Sequence, residues 1–153
     1  MRSGSRLGID VGTVRIGVAS SDPHGMLAFP VSTVNRGDGD VAAILLEVHE
    51  RDVVEIVIGL PLSLSGRDSA STQDARDFAQ RVAQASAIPV RMVDERLSTV
   101  SATRALQASG RNARSSRSVV DQVAAVIILQ HALDAERTGG HLPGAVVVPL
   151  EGR

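Results

Sequence analysis

Three acidic residues, far apart in the chain, stand where an apolar core has no use for a charge. Asp10 lies in LGIDVGTVRIGVAS, Glu95 in VRMVDERLST and Asp121 in SVVDQVAAVIILQ. The first two close or interrupt strand-like apolar runs, and the third opens a long helical one. A carboxylate left unpaired in such a run carries a heavy desolvation cost. Three of them in one chain point to a shared task, and holding a divalent metal ion is the simplest.

Each position also has a purely structural reading. Asp10 could accept turn N–H groups at a strand end. Asp94 and Glu95 could form an acidic helix start, and Asp121 a first-turn Asp, both favoured by the helix dipole. Adjacent strand residues point to opposite faces, so only one of Asp94 and Glu95 can share a site with Asp10. Gly8 and Gly12 bracket Asp10 and leave room for a ligand or a close backbone approach.

A second candidate feature is basic. All 16 basic residues are Arg, and the net charge is −1. Between residues 91 and 117, six Arg (Arg91, Arg96, Arg104, Arg111, Arg114, Arg117) face only Asp94 and Glu95, a local balance of +4. Arg suits bidentate phosphate contacts, although a solvated surface gives the same pattern. The stretch from Gly59 to Thr72 holds Pro61, Ser63, Ser65, Gly66 and Arg67 between a strand and a helix start. Such a start can bind phosphate, or it can be a surface loop with Ser71-x-x-Asp74 as a weak capping box. The four His residues show no metal spacing and read as surface residues.

The elements that must position these residues follow from periodicity. Residues 6–11 and 14–21 read as a hairpin turning at Gly12-Thr13, and 26–34 as an edge strand carrying Pro30. DVAAILLEVHERD repeats apolar residues at helical spacing. VVEIVIGL is apolar enough for a central strand buried on both sides. TQDARDFAQRVAQAS reads as a helix, IPVRMVDE as a strand and RLSTVSATRALQAS as a helix. GRNARSSRS (110–118) has no apolar residue larger than Ala and reads as a mobile loop. SVVDQVAAVIILQHALDAER is the last long helix, with Asp121, Ala124, Ala125 and Ile128 on one inward face. The order predicts an α/β fold, a mixed five-stranded sheet flanked by helices. A ribonuclease H-like domain fits it, and so does half of an actin-like ATPase.

Length allows one domain with a full core: residues 1–137, followed by a tail, 138–153, that adds a short strand or packs on the surface. Aromatics make up 1% of the chain, so the core is aliphatic and bases have no stacking platforms. Cysteine is absent, which excludes disulfides, zinc fingers and thiol catalysis and fits a cytoplasmic location. No apolar run is long enough for a membrane span, and MRSGSR leads straight into a strand without a signal peptide.

Taken in order, GIDVGTVRIGVA at 8–19, IVIGLPLSLSG at 56–66, VDERLST at 93–99 and VVDQVAAVIILQ at 119–130 resemble the YqgF family, also called the RuvX type. The resemblance runs from about residue 6 to about residue 135 and departs only at Ser98, where Thr is more usual. It implies a ribonuclease H-like nuclease that processes the 5′ end of pre-16S rRNA or resolves Holliday junctions. It implies Asp10, Glu95 and Asp121 as the catalytic set holding Mg²⁺ or Mn²⁺. Arg96, Arg111, Arg114 and Arg117 would then grip the substrate backbone without base specificity. The implied partner is nucleic acid, pre-rRNA or branched DNA, bound by a monomer or homodimer and away from membranes.

Two other readings compete. An actin-like ATPase needs two lobes to clamp its nucleotide, and this length supplies one. A non-catalytic nucleic-acid-binding module would lack the acidic set, which is present here.

Overall fold

Leu7 and Ile9 alternate with Gly8 and Asp10 along the first strand, so the two faces of the sheet differ from its first element onward. A computed structural model describes residues 3–62, 65–95, 113–140 and 144–148, with side chains of the last helix described from Val120 on. Strand β1 (Ser5–Val11) pairs antiparallel with β2 (Arg15–Ser21), and Asp10 stands opposite Gly17. Strand β3 (Ala28–Asn35) pairs with β2 and forms one edge, where the missing N–H of Pro30 costs no ladder bond. Helix α1 (Asp40–Glu50) leads to β4 (Val53–Leu60), which runs parallel to β1. Helix α2 (Ala70–Ala85) then crosses to β5 (Val90–Asp94), parallel to β4. Helix α3 (Ala113–Gly139) precedes β6 (Ala145–Val146).

The described strands form one mixed sheet in the order β3-β2-β1-β4-β5-β6. One face carries Leu7, Ile9, Ile16, Val18, Ile56 and Ile58 against Ile44 of α1 and Phe78 and Val82 of α2. The other face carries Ala19, Val57 and Val93 against Ala124, Ala125, Ile128, Leu129 and Leu133 of α3. The side chains on the α3 side are small, which brings α3 close to the strands. The Cβ that Gly8 lacks would lie 2.6 Å from Leu129 Cβ and 3.0 Å from the Ala125 carbonyl oxygen. At the other end of the same face, Arg6 pairs with Glu136 at 3.4 Å and Arg91 with Glu55 at 2.7 Å. Strand alternation thus puts both ion pairs on the α3 side of the sheet, the first of them closed by Glu136 of α3 itself.

The predicted α/β architecture holds, with three differences in detail. The sheet has a sixth strand because residues of the tail return to its edge: Val147 N donates to Val90 O at 2.7 Å. The loop expected over 110–118 is helical from Ala113, so α3 starts five residues before the predicted Ser118. Ala and Arg favour a helix, no Gly or Pro interrupts 113–118, and a packed helix extends readily into such a segment. The capping box of α2 is Ser69 with Thr72, and Thr72 also bonds the Pro61 carbonyl. The helix predicted over 96–109 lies outside the described residues.

Candidate metal and nucleic-acid site

Asp10 is 2% exposed at the C-terminal end of β1, on the face covered by α3. Both neighbouring strands offer it a residue without a side chain. Gly17 on β2 is its direct partner. On the other side, β1 and β4 pair Ile9 with Ile58, and continuing that register sets Asp10 beside Gly59. The space above these two glycines is filled by the other two acidic segments. A Cβ on Gly17 would lie 1.9 Å from the Asp121 carbonyl oxygen. One on Gly59 would lie 2.8 Å from Glu95 Oε2 and 2.6 Å from Ile128 Cδ1. Any side chain at 17 or 59 would displace α3 or the Glu95 carboxylate.

Glu95 follows β5 directly and is 5% exposed. Val93 faces α3, so alternation turns Glu95 to that side and Asp94 to the opposite one. Asp121 is the ninth residue of α3, more than two turns beyond Ala113. A first-turn dipole partner must lie within the first turn, so that reading of Asp121 fails. Its Oδ2 accepts from Arg15 Nε at 2.9 Å. Asp10, Glu95 and Asp121 therefore occupy one face and one end of the sheet, with the Asp121 carboxylate held by Arg15. Among the described residues, no three Asp, Glu, His or Cys side chains stand together as a ready group for one metal ion.

The turn after Asp10 is fastened from the opposite face. Arg36, just past β3, donates Nη1 to the Gly12 carbonyl at 2.8 Å and grips Asp74 of α2 with two bonds at 2.8 and 3.0 Å. Its guanidinium also lies 5.3 Å from the centre of the Phe78 ring. The Arg36 bond holds the Asp74 carboxyl below its ordinary range despite partial burial. Burial pushes Asp40 up, but the Gly37 and Val41 N–H groups and Arg81 outweigh it, and the net direction is down. The Asp74 bond raises Arg36. The turn that carries Asp10 toward Arg15 is thus tied to α2 through one side chain.

Arg15, Gly17 and Arg36 are absent from the set picked out by sequence, and Gly59 entered it only as the start of a candidate phosphate loop. A signal existed for the glycines, since an isolated Gly inside a strand marks a close backbone approach. None existed for Arg15, one of 16 arginines. Of the predicted phosphate-binding residues, Arg114 and Arg117 fall in the first turns of α3, while Arg96 and Arg111 lie outside the described residues. His24 and His49 are exposed and His131 is half-buried, apart from the acidic set.

A family model described as "RuvX: Holliday junction resolvase" matches residues 4–135. The chain belongs to the RuvX family. A relative from Clavibacter michiganensis subsp. michiganensis is 62% identical over 150 residues, covering 96% of this chain and 93% of the relative. One from Leifsonia xyli subsp. xyli is 61% identical over 155 residues, covering 99% of each. Both bear the name "Putative pre-16S rRNA nuclease". Thermus thermophilus RuvC, solved in complex with a Holliday junction substrate, superposes with a TM-score of 0.55 at 15% identity. That match spans 92% of this chain and 99% of RuvC, and it identifies the fold as ribonuclease H-like. Membership in RuvX makes this chain a nuclease, a hydrolase of phosphodiester bonds, as its sequence predicts.

Proposed function

We propose that this chain is a divalent-metal-dependent nuclease that cleaves structured RNA, with the 5′ flank of pre-16S rRNA as its substrate. The observation that carries the metal reading is the buried Asp10 between Gly17 and Gly59, with the Glu95 carboxylate over one glycine and the Asp121 backbone over the other. Carboxylates brought to one end of the sheet, where both flanking strands carry glycine, are the donor type that suits a hard cation such as Mg²⁺ or Mn²⁺. Asp10, Glu95 and Asp121 would hold it. When bound, the ion supplies an activated water and neutralises charge at the scissile phosphate.

The chain's own residues set the geometry. Asp10 occupies the centre, Glu95 the β5 side and Asp121 the β2 side. The buried Ile128 and Leu129 lie on the α3 side of the two buried acids, Asp10 and Glu95, and strengthen charge interactions there, while Asp121 stays partly open to water. Arg96, Arg111, Arg114 and Arg117 supply backbone phosphate contacts, which orient the strand without reading its sequence. Residues 1–137 carry this machinery as one domain, with 138–153 as an appended tail.

The relatives' shared name favours rRNA. The family description favours a second reading, resolution of a four-way DNA junction. That reaction needs two opposed cuts and hence a homodimer, whereas trimming one RNA end needs only a monomer. We assign the protein to the cytoplasm, where precursor rRNA is found; no helix among the described residues is long and apolar enough to cross a membrane. The test is to offer one purified sample an RNA spanning the 5′ flank of 16S rRNA and a four-way DNA junction, with Mn²⁺, Mg²⁺ or EDTA. Metal-dependent cleavage of the RNA alone supports the proposal. Cleavage of the junction alone transfers the substrate assignment to DNA, and cleavage in EDTA overturns the metal assignment.

A further inference from the structure

Arg15 stands on β2 two residues before Gly17, so strand alternation places it on the α3 face at the same end of the sheet as Asp10. Its Nε–Oδ2 bond to Asp121 spans 106 positions of sequence. Both side chains keep some contact with water, at 26% and 17% exposure. A pair of this kind is worth about two- to fivefold in an equilibrium constant, so it opens readily. A guanidinium at hydrogen-bond distance repels a divalent cation arriving on the same carboxylate. Once released, the guanidinium has an obvious acceptor in a nucleic-acid phosphate, which its fork of N–H groups matches.

We infer that Arg15 is a counter-ion latch: it neutralises Asp121 in the free protein and passes to a substrate phosphate when a divalent cation takes Asp121. Metal and nucleic acid then strengthen each other's binding, because each removes one partner of the same ion pair. The inference rests on Asp121 as a metal ligand. It gives the cation of the free protein a second role, and it makes the complete site a property of the loaded complex.

The test has two arms on the full-length protein, neither of which reads cleavage. The first titrates Mn²⁺ alone into wild type, Arg15→Gln and Arg15→Lys by calorimetry. The latch predicts that Arg15→Gln binds Mn²⁺ about two- to fivefold more tightly than wild type, with Arg15→Lys between them. Weaker binding in Arg15→Gln would mean that Arg15 merely orients Asp121, and would overturn the inference. The second arm measures a fluorescent RNA duplex in EDTA against Asp121→Asn, in the Arg15 and Arg15→Gln backgrounds. Release of Arg15 predicts a gain in RNA affinity from Asp121→Asn that shrinks when Arg15 is already gone. An equal gain in both backgrounds would be a general charge effect and would also overturn it. Melting curves on the same samples identify any misfolded variant, and Arg15→Lys carries the first arm if Arg15→Gln fails to fold. Wild type that takes up no Mn²⁺ removes the metal reading and the latch with it. Mn²⁺ uptake without tightening in Arg15→Gln removes the latch alone.

Discussion

The carbonyl oxygen of Asp121 sits over Gly17, 1.9 Å from where a Cβ would be. No side chain fits there, and the obstacle is helix backbone, which cannot rotate away. Gly17→Ala should therefore push α3 off the sheet at the level of Asp10. Overpacking of this kind costs roughly 1–3 kcal/mol. We expect a lower melting temperature together with a large loss of nuclease activity, read on the same sample. Unchanged stability would mean that α3 does not pack as closely as described.

Gly59→Ala should behave differently. Its new methyl group meets the ends of two side chains, Glu95 Oε2 and Ile128 Cδ1, and these can move. Stability should fall less than in Gly17→Ala, while Mn²⁺ affinity falls because Glu95 is displaced. Calorimetric titration of both variants separates the two effects. Equal Mn²⁺ affinity in Gly59→Ala and wild type would take Glu95 out of the metal site.

The carboxyls of Asp74 and Asp40 both lie below their ordinary range, through Arg36 for the first and through N–H groups and Arg81 against burial for the second. A carboxyl depressed in the folded state contributes stability above its unfolded value and loses it as pH falls through its folded one. Acid should therefore weaken the fold progressively below about pH 4, the unfolded value of Asp. Asp74→Asn should lower stability at neutral pH and make the acid limb shallower. Parallel melts of wild type and variant from neutral pH into that range check the sign. A steeper limb in the variant would contradict the Arg36–Asp74 assignment.

Replacing Arg111, Arg114 and Arg117 with Ala should weaken nucleic-acid binding and flatten its salt dependence. Each lost phosphate contact removes up to about 0.9 from the slope on duplex DNA and about 0.7 on single strands. Binding isotherms across a salt series measure this. An unchanged slope would make the local excess of Arg a solvated surface and send the substrate to another face.

Much of this architecture was legible in the sequence because burial writes itself into periodicity. VVEIVIGL is apolar on both sides, and β4 lies between β1 and β5. Pro30 marks β3 as an edge, and β3 is one. Ala124, Ala125 and Ile128 share the buried face of α3. Strand alternation separated Glu95 from Asp94 once the register of β4 and β5 was known. Less was legible where pairing decides. The start of α3 carries no apolar pattern, so the helix at Ala113 looked like a loop. Arg15 acquires meaning only through a partner 106 residues away, and Arg36 only through Gly12 and Asp74. Gly17 and Gly59 were visible as residues, but what fills the space above them depends on the crossing of α3 and the reach of Glu95.

The most direct measurement is Mn²⁺ binding by calorimetry to wild type and to Asp10→Asn, with melting curves on the same samples. Asp10 is the buried acid between the two glycines, so its charge should serve the metal more than the fold. Asp10→Asn should lose Mn²⁺ affinity by about tenfold or more, with a melting temperature equal to or above that of wild type because repulsion among the acids is relieved. Equal Mn²⁺ affinity in the two proteins, with Asp10→Asn less stable, would make Asp10 a structural residue and contradict a metal site at this end of the sheet.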